Sequence, residues 1–441
     1  MGRYFGTDGI RGKAGVTLTD ETVYKVGKFV GNYYKDARIV IGMDTRISSK
    51  GFEQDLCKGM TESGAKVYLL GYCSTPCLAF TTMNEKLSCG VMISASHNPY
   101  TDNGIKIFAN DGFKINDEIE SLIEDYIDVP EGIENKQGGE VIDYKEAIKT
   151  YQNWLLEKYP LDLNGKKVLV DLCNGSNCYT AKDVLNKLNG QFTYINEAPD
   201  GTNINNNCGS THLDMLKDAV KAGDYEMGFA FDGDADRVLF VDENGEVVDG
   251  DKIMYLLSKY LKANNLLNGN TLVTTVMSNI GLYKALEKID VLSDITPVGD
   301  KNVSDSMVKN GFVVGGEQSG HIIYSGDCYF GDGLKTALLV LKALNYYGMT
   351  LKESVAEVKI YPQLLVNEHV TDKNVVLNDE VINQKIRDVA DELGNNGRIL
   401  VRPSGTEPLI RVMVEAENDE LCHKYVYEVI DLIKERGYAA A

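Results

Sequence analysis

Short apolar runs recur along this chain, and segments of helical period separate them. "ARIVIGM" (37–43), "KVYLL" (66–70), "KKVLVDL" (166–172), "MGFAFD" (227–232), "TLVTTV" (271–276) and "GFVVGGE" (311–317) have the length and apolar density of buried strands. Between them lie stretches such as "TDETVYKVGKFV" (19–30), where Val23, Val26 and Val30 share one helical face. This alternation predicts the α/β class. A chain of 441 residues exceeds what one hydrophobic core usually serves, so several domains are expected. A helix predicted over Tyr144–Tyr159 leads to Pro160 and a new strand, a helix opens at Asp249, and Tyr361-Pro362 follows an apolar helix over 332–345. The resulting spans are 1–152, 153–248, 249–362 and 363–441, the last reading strand, helix, strand, strand, helix, a smaller α+β unit.

Composition narrows the function classes. No apolar stretch reaches the roughly 18 residues of a membrane span, and "MGRYFGTDGIRG" lacks the order of a secretory signal, so a cytoplasmic protein is expected. The nine cysteines are scattered without a CxxC pair. The nearest spacings, Cys73 with Cys77 and Cys173 with Cys178, are not zinc patterns, so buried free thiols are expected. A formal charge of −20 argues against nucleic acid as a partner, because phosphate neutralisation needs clustered Lys and Arg.

Four polar loops each follow an apolar strand: "SASHNP" (94–99), "DGDADR" (232–237), "GEQSGH" (316–321) and "RPSGTEP" (402–408). Ligands of open α/β sheets bind outside the carboxyl ends of strands, so the four loops are expected to share one cleft. In "DGDADR", Asp232, Asp234 and Asp236 recur at every second residue, and such oxygen ligands suit Mg²⁺ or Ca²⁺ rather than zinc. An EF-hand is the near alternative, with Asp232 first and Glu243 twelfth. Its sixth position, however, is Arg237 instead of Gly, and "VLFV" continues as a strand. A solvated acidic turn and a phosphatase with an Asp nucleophile are further alternatives, and Ser96 counts against the second. "RPSGTEPLIR" reads as a phosphate cradle: Arg402 and Arg411 offer planar forks, Ser404 and Thr406 hydroxyls, and Gly405 close backbone approach. Ser-Gly-Thr alone would be an ordinary turn; the two arginines in so acidic a chain favour the cradle. No GK[ST] follows a glycine loop, which excludes a nucleotide P-loop. Glu317, Ser319 and His321 of "GEQSGH" suit recognition of hydroxyls, although a lone His is more often structural.

Ser96 is a poor nucleophile without help. Neighbouring His97 invites a serine-hydrolase reading, but no GxSxG elbow exists. A cation site together with a phosphate cradle points instead to Ser96 as a carrier of a phosphoryl group, since phosphoryl transfer asks mainly for positioning and charge neutralisation.

Together, "RYFGTDGIRG", "ISASHNPYTDNGIK", "FDGDADR", "GGEQSGH" and "RPSGTEPLIRVMVE" resemble the α-D-phosphohexomutase family along nearly the whole chain. The resemblance implies three similar mixed α/β domains plus a smaller C-terminal α+β domain around a central cleft. It implies Ser96 as the phosphoserine, with Mg²⁺ held by Asp232, Asp234, Asp236 and an oxygen of the phosphate on Ser96. Arg11 and Arg237 would lie beside the transferring phosphate, and Lys106 and His321 would be acid/base candidates. Glu317 and Ser319 would contact sugar hydroxyls, and Arg402, Ser404, Gly405, Thr406 and Arg411 would hold the phosphate that is not transferred. The opening decapeptide and Gln318 point to members acting on amino sugars, so the implied partners are a phosphorylated amino sugar and its bisphosphate, with no nucleic acid and no membrane. The oligomeric state stays open, a homodimer being one option. A member acting on glucose or mannose phosphates, and an acidic cation-binding protein with no phosphate on Ser96, are the rivals. Lys106 opens the apolar "IKIF", where a lysine is also often solvated. As a base with an ordinary pKa near 10 it would need burial or a cationic neighbour to lower it.

Overall fold

The computed structural model describes residues 2–404 and 407–440. The chain divides into two compact units: one runs to Met277 and includes Asp290–Ala356, and the other joins Ser278–Ile289 to the residues from Glu357 onward.

The first unit holds three mixed sheets. The seven-stranded sheet has the spatial order Phe5–Gly6, Gly9–Lys13, Asp102–Ala109, Cys89–Ile93, Arg38–Met43, Lys66–Tyr72, Glu140–Asp143. Arg38–Met43 runs parallel to both Lys66–Tyr72 and Cys89–Ile93, whereas Asp102–Ala109 returns antiparallel with Met92 opposite Lys106. Cys89–Ile93 is buried throughout, so the polar residues from Ser94 emerge at its carboxyl end. Helix Asp20–Tyr33, capped by Thr19, turns Val23, Val26 and Val30 into the core and packs on helix Ser49–Glu62, as its periodicity predicts. Helix Ala147–Lys158 begins later than the predicted 144, because the Tyr144 N–H pairs with the Leu69 carbonyl at 2.8 Å.

The five-stranded sheet is built around the hairpin of Met227–Phe231 and Val238–Asp242, both buried along their length, whose turn is residues 232–237. In the four-stranded sheet, Val314–Gly316 pairs antiparallel with Ile322–Tyr324 around the turn 317–321. The strand is shorter than the predicted 311–317 because Gly311, at φ 69°, closes helix Asp300–Asn310 in the left-handed conformation that favours glycine. Helix Gly250–Ala263 starts where predicted, its N-cap Asp249 accepting from the Lys252 N–H at 3.1 Å.

In the second unit, Leu409–Glu415 is the centre of a three-stranded antiparallel sheet flanked by Gln363–His369 and Arg398–Pro403. The expected strand, helix, strand, strand, helix order holds, with a short helix, Lys373–Asn378, before Glu380–Leu393. Helix Ile280–Glu287 belongs to this unit: the Ile280 N–H donates to Glu415 Oε2 at 2.8 Å, and Asn279 Oδ1 accepts from the Tyr361 N–H at 3.0 Å. All nine cysteines are free and seven are buried. Among the described residues no helix is long and apolar enough to cross a membrane.

Candidate active site

Ser96 lies three residues beyond Ile93, the end of the buried strand, and is held at φ 52°, a left-handed conformation that costs a non-glycine residue about 1–3 kcal/mol and persists only where its surroundings over-determine it. Its N–H donates to Ser94 Oγ at 2.9 Å, and Ser94 Oγ donates to Asp44 Oδ2 at 2.6 Å. Buried Ser96 Oγ donates to Asp232 Oδ2 at 2.5 Å, while His97 Nδ1 lies farther off at 3.3 Å. Burial, then the charges of Arg237 and Arg11, push the His97 imidazole down to about 4, so it is neutral near pH 7. The hydroxyl proton therefore goes to the acidic cluster of the neighbouring hairpin rather than to His97, which argues against a Ser-His hydrolase pair.

Asp232, Asp234 and Asp236 are all buried and each brings one oxygen within 4.8 Å of the others. Burial, reinforced by Asp236 and Asp234, pushes the Asp232 carboxyl up to about 8. Asp234 Oδ1 and Asp236 Oδ1 are buried without a hydrogen-bond partner. Crowded, under-satisfied carboxylate oxygens of this kind fit a hard divalent cation such as Mg²⁺. Phe231 pairs with Val238 across the turn, so the loop closes well before Glu243 and an EF-hand loop is excluded.

Lys106 is fully buried, its Nζ 2.7 Å from Asp234 Oδ2, 3.2 Å from Asp236 Oδ2 and 2.9 Å from Asp8 Oδ2. Burial alone would lower its pKa, but Asp234, Asp236 and Asp8 carry it well above the lysine value. It stands as an ammonium, the opposite of what a resting general base requires. His321 places Nδ1 3.5 Å from Asp236 Oδ1 and Nε2 3.7 Å from Asp300 Oδ2. Burial lowers its pKa, yet Asp236 and Asp300 outweigh it and raise it to about 9, so this ring is an imidazolium near pH 7. Arg11 pairs with Asp8, and the Arg237 N–H donates to Asp232 Oδ1 at 3.1 Å. Both guanidinium groups keep a buried Nε without a hydrogen-bond partner.

The turn 317–321 completes this region. Glu317 Oε1 accepts from the Gly299 N–H at 3.1 Å, and Ser319 Oγ is buried without a hydrogen-bond partner. A cavity of about 400 Å³ opens beside it, its lining including Asp8, Asp236, Asp300 and His321, the lysines Lys114, Lys301 and Lys309, and the aromatic rings of Phe113 and Tyr329. In the second unit, Arg402 and Arg411 are direct cross-strand partners. Burial and Arg411 both push the Arg402 guanidinium down, as two like charges face to face require. Ser404 is buried, its Oγ accepting from the Glu407 N–H at 3.2 Å. Gly405 and Thr406 lie outside the described residues.

Four family descriptions, the α/β/α domains I, II and III and the C-terminal domain of phosphoglucomutase/phosphomannomutase, match residues 2–131, 143–245, 249–361 and 365–432. The chain belongs to the phosphoglucomutase/phosphomannomutase family. It is 48% identical over its full length to a phosphoglucosamine mutase of Lachnospira eligens, itself covered in full. It is 46% identical to one of Streptococcus mutans, with 98% of this chain and 99% of that one aligned. Among solved structures it shares its fold with a phosphoglucomutase/phosphomannomutase family protein of Burkholderia thailandensis, with a TM-score of 0.82 at 22% identity over 99% of this chain and 98% of that one. An Aspergillus fumigatus N-acetylphosphoglucosamine mutase, in complex with GlcNAc-6P and magnesium, has a TM-score of 0.71 at 19% identity, covering 98% and 96% of the two chains.

Four residues in this phosphohexomutase-type site were not singled out by sequence reading. Thr75 Oγ1 donates to Asp234 Oδ2 at 2.5 Å. Lys114 Nζ bridges Asp8 Oδ1 and Asp300 Oδ2, 2.6 Å from each, and so ties the turn before the strand of Arg11 to the carboxylate facing His321. Asp8 had a signal, three residues before Arg11 in "TDGIRG". Thr75, Lys114 and Asp300 had none.

Proposed function

We propose that this enzyme is an isomerase that interconverts glucosamine 6-phosphate and glucosamine 1-phosphate through phosphorylated Ser96 and a sugar bisphosphate. The observation that carries the reading is Ser96 Oγ held 2.5 Å from Asp232 within a three-carboxylate cluster, in a chain 44–48% identical over nearly its full length to phosphoglucosamine mutases. A charged sugar phosphate is made and retained inside the cell, so the proposed location is the cytoplasm.

In the first half-reaction the bond between phosphorus and Ser96 Oγ breaks while a bond forms to the free sugar oxygen. The hydroxyl proton leaves that oxygen, and Ser96 Oγ gains one. The second half-reaction runs the same step backwards on the other phosphate of the bisphosphate. Arg11 and Arg237, each with a buried Nε to spare, are assigned to the phosphoryl oxygens. Lys106 and His321, both cationic here, would return a proton to a leaving oxygen and neutralise charge as it develops. Asp232, Asp234 and Asp236, with an oxygen of the phosphate on Ser96, would hold Mg²⁺. That ion supplies positive charge to the transferring group and offsets the three carboxylates. Glu317 and Ser319 are assigned to the sugar hydroxyls, and Arg402, Ser404, Gly405, Thr406 and Arg411 to the distal phosphate.

The test is ³¹P NMR of glucosamine 6-phosphate incubated with the enzyme, Mg²⁺ and a trace of glucosamine 1,6-bisphosphate, with phosphopeptide mapping of the recovered protein. A 1-phosphate resonance growing to equilibrium and phosphate on Ser96 are expected. Conversion without any phosphate on Ser96, or phosphate on Ser94 instead, would sink the assignment.

A further inference from the structure

Arg46 lies in "MDTRIS" (43–48), a stretch that reads as a polar turn, yet it is among the most deeply buried large side chains of the molecule. A guanidinium has five N–H donors in a fixed fork, and here all five are used. Nε donates to Asp44 Oδ2 at 2.8 Å. Nη1 donates to the carbonyls of Pro99 and Asp102, and Nη2 to those of Ser96 and Asn98, both at 2.9 Å. Four of the five bonds therefore fall on the backbone of residues 96–102. Asn205 reaches the same segment from the other side, its Nδ2 donating to the Ser96 carbonyl at 2.8 Å and the Asn98 carbonyl at 3.0 Å. Each of those two carbonyls thus accepts two donors, the full capacity of its lone pairs. The turn of Asp232 closes against the same atoms: a Cβ on Gly233 would lie 2.5 Å from the Ser96 carbonyl oxygen and 2.9 Å from Asn205 Nδ2.

We infer that Arg46 is a positioning residue which, with Asn205, clamps residues 96–102 so that Ser96 keeps one geometry whether or not it carries a phosphate. The inference rests on the mutase reading above, in which Ser96 gives up its phosphoryl group and must recover one from the bisphosphate. A phosphate adds nearly two negative charges to the side chain, and Arg11 and Arg237 would draw a loosely held loop toward them. With both carbonyls saturated, the backbone cannot follow the charge. A lysine at position 46 could keep an ion pair with Asp44 but offers a point charge in place of the fork, so it cannot hold four carbonyls.

The experiment uses the full-length enzyme with Arg46→Lys and, independently, Asn205→Ala. Hydrogen exchange of the 94–104 segment is read without substrate, and steady-state kinetics with the release of sugar bisphosphate are read with it. In Arg46→Lys, exchange in that segment is expected to rise at least about tenfold while the rest of the chain exchanges as before. The kcat should fall about 100-fold or more with KM within about threefold, and bisphosphate should escape at least about ten times more often per turnover. Asn205→Ala should show the same pattern with a fall in kcat of about tenfold, and it carries the test if Arg46→Lys does not fold. Native exchange of the segment in the folded variants, or a loss carried by KM with bisphosphate retained, would overturn the clamp. If the segment loosens as expected but the wild-type enzyme turns over no sugar phosphate, the clamp stands and the mutase reading falls.

Discussion

Around Asp234, cations are packed against carboxylates: Lys106 against Asp234, Asp236 and Asp8, Lys114 against Asp8 and Asp300, His321 against Asp236. In the three-stranded sheet of the second unit, Arg402 and Arg411 instead oppose each other directly, and burial together with Arg411 pushes the Arg402 guanidinium down. The first arrangement is organised before any substrate arrives, because each charge is fixed by its neighbours and the barrier to reorganising them is already met by folding. In the second, like charges face each other across the strands, and the distal phosphate proposed above would supply the opposite charge. The region proposed for chemistry and the region proposed for capture thus differ in the sign of the charges that face each other.

The sharpest way to break this contrast is Ser96→Ala. Alanine at φ 52° meets much the same backbone cost as serine, so the fold and its melting temperature should survive, while mutase activity falls by at least about 10³-fold. Retained turnover would show that the balanced cluster serves something other than transfer through Ser96.

Removing the cation is expected to have the next largest effect. Chelation, or Asp234→Asn, should lower kcat by about 100-fold or more, and Ca²⁺ should bind yet support turnover poorly because it tolerates looser geometry than Mg²⁺. The chelated protein should also show a pH signature. Asp232 has a folded-state pKa of about 8 against an ordinary carboxylate value when unfolded, so between these values the native state holds the extra proton. Stability of the metal-free protein should therefore fall as pH rises from about 4 to about 8, and Asp232→Asn should flatten that slope. Thermal melts at pH 5 and pH 8, with and without Mg²⁺, check both. A flat profile in the chelated wild type would remove the case for a strained carboxylate cluster.

How much of this was legible in the sequence follows from where the contacts lie. The loops bearing Ser96, Asp232 to Asp236 and Glu317 to His321 announce themselves because chemistry and strand end coincide within a few residues. Arg46 does not, since the carbonyls that bury it come 50 to 56 residues later and Asn205 lies 109 residues beyond Ser96. Lys114 meets Asp300 across 186 residues. Lys106 shows the same limit in its electrostatics. A buried lysine should be lowered, but carboxylates from positions 8, 234 and 236 reverse the sign, and nothing local to "IKIF" encodes them. The helix Ile280–Glu287 reads as part of its own βα run, yet its first N–H, that of Ile280, donates to Glu415, 135 residues later.

Arg402→Ala probes the capture region. Charge-assisted hydrogen bonds are worth about 1.5–3 kcal/mol each, so kcat/KM should fall roughly ten- to a hundred-fold while phosphate on Ser96 is unaffected. Loss of phosphate from Ser96 with unchanged substrate handling would reverse the roles assigned to the two regions.

The smallest expected effect concerns the sugar. The hydroxyls assigned to Glu317 and Ser319, at C3 and C4, are the same in glucose and glucosamine, so those contacts cannot separate the two. A phosphate held by Arg402 and Arg411 is likewise common to every substrate considered. Discrimination must come from the 2-amino group, which is protonated or nearly so at neutral pH and gains from a negative field. The chain's net charge of −20 provides one. The expected preference by kcat/KM is at least about tenfold, or about 1.4 kcal/mol, for glucosamine 6-phosphate over glucose and mannose 6-phosphates. Arg402→Ala should lower all three rates by a similar factor and leave their ratio intact, because it touches only the shared phosphate. Measured on one preparation phosphorylated at Ser96, a glucose or mannose phosphate equal to glucosamine phosphate would move the substrate assignment and leave the transfer chemistry in place. A ratio that collapsed in Arg402→Ala would place discrimination in the capture region after all.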